Sequence, residues 1–171
     1  MSTLLEKLSG GDQRSIGRSK EVAAAVIEKP SLFRQLFDGM LDADPIVRMR
    51  AADAVEKVTA KHPDWLKPYK RKLLGPIAAI DQQEVRWHVA QMLPRLPLTV
   101  QQRRKATDIL LGYLNDESSI TRTFALQALA DLAKDDPRLR QEVVGLLKDA
   151  TRSGTPAMKS RAKNLLEKLD A

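Results

Sequence analysis

The 171-residue chain has no cysteine, which excludes a disulfide framework and any thiolate metal site, so its fold must stand on packing alone. Aromatic residues make up only 4% of it, leaving Leu, Val, Ile and Ala to build the core. An alanine-rich core suits closely packed helices more than sheets, and the first expectation is an all-α fold. Apolar runs long enough to span a membrane, roughly 18 to 20 residues, are also missing. Residues 1–11 include Glu6 and Lys7 and lack the roughly 7 to 15 apolar residues a signal peptide needs. Neither export nor membrane insertion is expected, and a chain without cysteine fits the cytoplasm.

What is present is globular: 43% apolar and 30% charged residues, enough to bury a sizeable core and too apolar for disorder as the main state. The net charge of +7 favours polyanions, but the excess is local. Residues 44–80 hold eight basic and four acidic side chains, whereas 1–43 and 117–152 each balance at six against six.

Four segments align without a gap, Val47 to Val58, Val85 to Leu96, Thr121 to Leu132 and Met158 to Leu169, at offsets of 38, 36 and 37 residues. The second position is basic in each (Arg48, Arg86, Arg122, Lys159) and the fifth small or branched (Ala51, Val89, Ala125, Ala162). The ninth (Val55, Leu93, Leu129, Leu166) and twelfth (Val58, Leu96, Leu132, Leu169) are apolar. Spacings of four, four and three put these side chains on one stripe of a helix. Between the copies run further apolar sets, around Leu36, Leu73, Leu110 and Val143, so the repeating unit is a helical hairpin. Turn and capping residues mark the breaks, as in Ala43-Asp44-Pro45, His62-Pro63-Asp64, Pro97-Leu98-Thr99, Asp135-Asp136-Pro137 and Ser153-Gly154-Thr155-Pro156. Pro94 inside the second copy should kink that helix or end it a turn early.

A period of 36 to 38 residues with two helices means a solenoid, because one hairpin cannot bury its own apolar face. The run from Asp44-Pro45 through Val47-Arg48, Ala51-Ala52 and Val55 to Val58 resembles the second helix of a HEAT repeat. The other copies keep the frame with lapses at Thr121, Met158 and Lys159, and the resemblance covers about residues 31 to 169. It implies a right-handed α-α superhelix of about four to five hairpins, taken as one domain over 1–171. The expected repeats are 31–62, 63–97, 98–135 and 136–171, with 1–30 a degenerate capping hairpin. Lys163 and Lys168 on the outer flank of the last copy fit a polar cap, and a monomer is expected.

Ingredients for catalysis are scarce. His62 and His88 lie 26 residues apart, one in a turn and one on an expected exposed face, with no metal-ligand spacing around them. Gly10-Gly11 and Ser153-Gly154 lack phosphate-loop spacing and read as turns. Some HEAT-like proteins are enzymes, such as alkylpurine DNA glycosylases and bilin lyases, but nothing here maps onto their catalytic residues. No enzymatic activity, cofactor or metal is expected.

Three surfaces remain. The basic second positions could contact phosphates, but HEAT-like stacks typically use them to hold the preceding turn or a neighbouring repeat, with Asp44, Asp81, Asp116 and Asp149 at hand. On the helical wheel the third, seventh and tenth positions lie opposite the core and the fourth at one flank, where the resemblance implies a concave face. The third positions are Met49, Trp87, Thr123 and Ser160. The fourth are Arg50, His88, Phe124 and Arg161, and the seventh Asp53, Gln91, Gln127 and Asn164. Large aromatics beside Arg, His and Gln match protein interface hot spots, so Arg50, Trp87, His88, Gln91, Phe124 and Gln127 are the candidate protein-binding residues. Inter-repeat packing of Trp87 and Phe124 is the alternative. The third surface joins Lys61, Lys67, Lys70, Arg71 and Lys72 with Arg103, Arg104 and Lys105 into a basic strip that could bind nucleic acid. Together these features read as a non-catalytic scaffold for a protein partner, with the nucleic-acid strip as alternative.

Overall fold

A computed structural model describes residues 3–170, and the outermost ends of the first and last expected repeats, residues 1–2 and 171, lie outside it. Among the described residues every regular element is helical. The helices gather into two compact units, Met1–Leu96 and Pro97–Ala171, a border one residue from the expected repeat boundary at 97/98.

The first unit contains α1 (Thr3–Glu6), α2 (Ser19–Glu28), α3 (Phe33–Asp38), α4 (Pro45–Lys61), α5 (Lys70–Lys72) and α6 (Gln83–Met92). Helix α4 is its organising element, with both α2 and α6 packed on it. Its Ala51, Ala52 and Ala54 are wholly buried, and such small side chains let neighbouring helices approach closely, while Val55 and Val58 fill the stripe predicted from the repeat. Asp44 caps the start, accepting the Ile46 N–H at 2.9 Å, and Pro45 follows in the first turn, where its missing N–H costs nothing.

The expected first helix of the 63–97 hairpin departs from regularity. Residues Pro63–Tyr69 form a 3₁₀ helix, α5 is a single turn, and Leu73–Ile77 make a wide π turn in which Gly75 is non-helical at φ −118°, ψ −108°. Pro68 and Pro76 sit inside these segments, and each removes an amide donor and crowds the preceding turn. Leu66, Leu73, Leu74 and Ile77 nevertheless reach the core. Pro94 acts as its position implies: α6 stops at Met92 and a 3₁₀ turn, Leu93–Arg95, follows.

The N-terminal segment is built around Arg50. Between α1 and α2 the chain wraps its guanidinium, which donates to the carbonyls of Leu8 (2.9 Å), Ser9 (3.3 Å), Gly10 (2.5 Å), Asp12 (3.2 Å) and Ser15 (3.0 Å). The wrap needs left-handed backbone at Gly10, Gly11 and Gly17, and a Cβ on Gly17 would lie 2.8 Å from the Arg50 guanidinium carbon. Leu8 is wholly buried beneath the loop. Glu21 ties the loop to α2 by accepting from Arg18 (2.7 Å) and Lys7 (3.2 Å), and these cations hold its carboxyl down at about 2.

The second unit is two regular hairpins, α7 (Val100–Tyr113) with α8 (Ser119–Ala133), and α9 (Pro137–Ser153) with α10 (Pro156–Asp170). Helix α8 packs on α7, α9 and α10. Thr99 and Gln102 form a reciprocal capping box on α7, Ser118 caps α8, and Asp136 caps α9. Buried Leu110, Ala125, Leu129, Val143 and Leu147 make up its core.

Three of the four basic second positions, Arg48, Arg86 and Arg122, hold their own interhelix turns. Arg48 donates to the carbonyls of Asp42 (3.0 Å) and Ala43 (3.2 Å), and Arg122 to those of Asp116 (2.8 Å) and Glu117 (3.3 Å). Arg86 reaches the Ile80 carbonyl at 3.2 Å and the Asp81 carboxylate at 3.0 Å. Arg140 in α9 repeats the contact with the Lys134 carbonyl, again six residues back, at 2.5 Å. The partners are chiefly main-chain oxygens, with Asp81 the acid among those expected. These carbonyls lie in turns, outside a regular helix ladder, and a charged fork can satisfy two of them at once.

Candidate functional site

In the first unit α4 and α6 carry a buried polar chain. The Ser19 hydroxyl, fully buried at the start of α2, donates to Asp53 Oδ2 at 2.5 Å, and Lys57 pairs with the same oxygen. The other carboxylate oxygen of Asp53 lies 3.7 Å from His88 Nε2. Trp87 meets the His88 ring edge-on at 5.9 Å, and Gln91 donates to the Trp87 carbonyl at 3.2 Å. Burial pushes His88 down to about 4 despite the opposing pull of Asp53 and Glu56, so the ring is neutral near pH 7. Farther along, Arg95 ties back to α4 through the Glu56 carboxylate and carbonyl and the Thr59 hydroxyl, each at 2.9 Å.

The second unit repeats the arrangement with different chemistry. Arg161 of α10 donates to Gln127 Oε1 at 3.0 Å and lies 5.9 Å from the Phe124 ring centre. Gln127 in turn donates to the Asp131 carboxylate at 3.2 Å. In both units the seventh position of one repeat meets the fourth position of the next: Asp53 meets His88, and Gln127 meets Arg161. This seam fixes the orientation of the polar groups along it.

The wheel expectation needs correction at several positions. Arg50 is 3% exposed and its guanidinium is spent on the N-terminal loop, because that loop covers the flank of α4 that periodicity alone leaves open. His88 is not on an exposed face: its side chain is 12% exposed. Met49, Asp53 and Thr123 are buried as well, Asp53 among Ser19, Lys57 and His88. Trp87, Gln91, Phe124 and Gln127 are half-buried, each keeping part of its surface in water, and Phe124 also supports Arg161 of the following repeat.

The candidate basic strip divides between the units. In the first, Lys61, Lys67, Arg71 and Lys72 are exposed and Lys70 half-buried. Lys67 pairs with Asp64 at 3.3 Å and Lys72 with Asp38 at 2.7 Å. In the second, Arg104 and Lys105 are exposed, while Arg103 is half-buried and points to the Leu132 carbonyl at 3.5 Å. Arg103 and Arg104 line a cleft of about 710 Å³ that also holds Asp108, Asp135, Asp136 and Glu142, so the second patch is not net positive.

Catalytic geometry does not emerge from these clusters. Ser19 gives its proton to a carboxylate rather than to His88 and has no surface for a substrate to reach, so it is not arranged as a nucleophile. Among the described residues no group of three His, Cys, Asp or Glu side chains is disposed to hold a metal ion, and no helix is long and apolar enough to cross a membrane.

Comparison with known proteins agrees with this architecture. The sequence matches the HEAT repeat domain family over residues 6–169. Comparison with curated proteins gives no match. Among solved structures, two engineered proteins from the Northeast Structural Genomics Consortium are similar, both at a TM-score of 0.62. One is 17% identical, with 98% of this chain covering 78% of that one, and the other 18% identical, with 97% covering 79%. At such identities the likeness is one of fold alone. With hairpin repeats in both units and a family match over nearly its whole length, the chain belongs to the HEAT repeat family.

Proposed function

We propose that this chain is a non-catalytic scaffold that binds a protein partner through its second-helix surfaces, with Trp87 and Gln91 in the first unit and Phe124 and Gln127 in the second. The observation that carries the reading is that Trp87 and Phe124 stay partly exposed beside polar groups already held in place, Gln91 on the Trp87 carbonyl and Gln127 between Arg161 and Asp131. A rigid aromatic with one face open and fixed hydrogen-bonding neighbours loses little entropy on binding, as interface anchors do. HEAT repeats commonly mediate protein interactions, which agrees with this use. Arg50 serves the surface indirectly, by pinning the loop against α4. The test is co-purification on the immobilised protein after nuclease treatment. Trp87→Ala and Phe124→Ala should each weaken retention of the partner about tenfold or more while shifting Tm by only a few degrees, about 3 °C. A large fall in Tm would assign both rings to packing.

A second reading, polyanion binding, is favoured by one observation: residues 61–72 present five cations against the single acid Asp64. Arg103, Arg104 and Lys105 enter it as a separate patch, weakened by the acids around their cleft. It predicts nucleic-acid affinity that falls steeply with salt.

A further inference from the structure

The first unit holds a recess of about 610 Å³ between α3 and the proline-broken segment 68–76, lined by Arg34, Pro68, Tyr69, Arg71, Lys72 and Pro76. Its charge is one-sided. The Lys72 ammonium is matched by Asp38 at 2.7 Å, but among the described residues the guanidinium groups of Arg34 and Arg71 have neither an ion pair nor a hydrogen bond. The repeat arginines, Arg48, Arg86 and Arg122, and also Arg50 and Arg95, are by contrast committed to carbonyls or carboxylates, and the uncommitted Arg104 and Arg138 share their cleft with four acids. Two uncommitted guanidinium forks in one recess suit a tetrahedral anion, which each can grip with two parallel N–H donors.

The walls of the recess add ring surfaces. Tyr69 is fixed by Phe37, centroid to centroid 4.2 Å at 31°, and by Phe33 edge-on at 5.5 Å. Four residues earlier, half-buried Trp65 lies edge-on to the same Phe33 at 5.4 Å and stacks on the half-buried His62 at 4.5 Å and 14°. Half-buried Tyr69 and Trp65 thus share Phe33 as one aromatic support. A string of ring surfaces beside an anion grip is what a flexible polynucleotide uses, phosphate in the recess and unstacked bases on the rings. In a duplex the base faces are already occupied by one another, so the rings would have nothing to receive.

We infer that the Arg34–Tyr69–Arg71 recess, with the neighbouring Trp65–His62 stack, is a binding site for a single-stranded polynucleotide. This rests on the second reading above and narrows it to one site and one form of nucleic acid. None of its residues is among Trp87, Gln91, Phe124 and Gln127, the residues of the proposed protein-binding surfaces.

The test uses the full chain and fluorescein-labelled 15-nucleotide oligo-dT and oligo-U, followed by anisotropy. Both should bind. Three phosphate contacts, from Arg34, Arg71 and one lysine, give a log–log salt slope of about −2, a loss of about 20-fold from 50 to 200 mM salt. A duplex of equal length should bind at least about tenfold more weakly. Arg34→Gln with Arg71→Gln should lose about tenfold or more in affinity at unchanged Tm, because both side chains are exposed and unpartnered. In a Trp87→Phe background, oligo-dT should quench the remaining Trp65 emission. No binding at 50 mM salt would overturn the inference, as would equal affinity for the duplex, unaltered Trp65 emission, or displacement by an acidic phosphopeptide as readily as by oligo-dT. Binding that survives the Arg34/Arg71 double variant but is lost on replacing Arg103, Arg104 and Lys105 by Gln would overturn this site while leaving the wider nucleic-acid reading in place.

Discussion

Arg50 offers the sharpest test of how the N-terminal segment is held. Replacing it by Met keeps an aliphatic stem of similar reach but removes every donor to the carbonyls of Leu8, Ser9, Gly10, Asp12 and Ser15. The contacts to Leu8, Gly10 and Ser15, at 2.5 to 3.0 Å, are well made and the other two are longer. Charge-assisted bonds contribute roughly 1.5 to 3 kcal/mol each where the partner is left dry. Here Ser9 to Gly17 are exposed, so most of the freed carbonyls would regain water and only part of that sum would be lost. The expected cost is about 2 to 3 kcal/mol, equivalent to a fall in Tm of about 5 to 10 °C for a chain of this size. Urea unfolding gives the free energy, and amide exchange gives the location: residues 8–18 should exchange faster while α8 and α9 keep their protection. Arg50→Lys should fall between the two, having a charge but no planar fork. A loss below about 0.5 kcal/mol with unchanged exchange at 8–18 would refute the idea that this side chain organises the loop.

Two further outcomes follow from single contacts. His88, facing Asp53, Glu56, Lys57 and Arg95, is held neutral by burial at about 4 against an ordinary 6.5, so below pH 6.5 the unfolded chain takes up a proton that the folded one does not. The resulting loss of stability is absent well above pH 6.5, grows as pH falls and levels off below about 4, amounting to about 2 kcal/mol between pH 7 and 5. His88→Gln should flatten that limb of the stability profile measured by urea unfolding, and an unchanged pH dependence would show that the ring is not the titrating group. Arg122→Met removes the two bonds to the Asp116 and Glu117 carbonyls and should cost about 1 to 2 kcal/mol while leaving oligonucleotide affinity unchanged. Reduced affinity in that variant would mean the repeat arginines do contact phosphates.

The helices of the second unit are legible in the sequence because one stripe of apolar residues and one set of caps specify them: Leu129 and Leu132 fall where the repeat puts them, and Asp136 and Thr99 cap where the turn chemistry says. The segment 63–77 is less so. Its apolar spacing suggests a helix, but Pro68 and Pro76 break the ladder, and their positions are the available signal. Arg50 occupies the same repeat position as His88, Phe124 and Arg161, so periodicity alone assigns it their surroundings. What changes its fate is a non-repeating loop, hinted at only by Gly10, Gly11 and Gly17, which read locally as turns. Arg34 carries no signal along the chain for a related reason: its companions lie more than thirty residues away, at Arg71 and Lys72, and only folding brings them to one recess.

The scaffold reading is tested most directly by the footprint of a captured protein partner, read by amide hydrogen exchange on the free and bound chain. The account predicts slowed exchange in 84–92 and 121–131, the stretches that carry Trp87, Gln91, Phe124 and Gln127. Protection confined to the first helices α7 and α9, with those stretches unchanged, would contradict it.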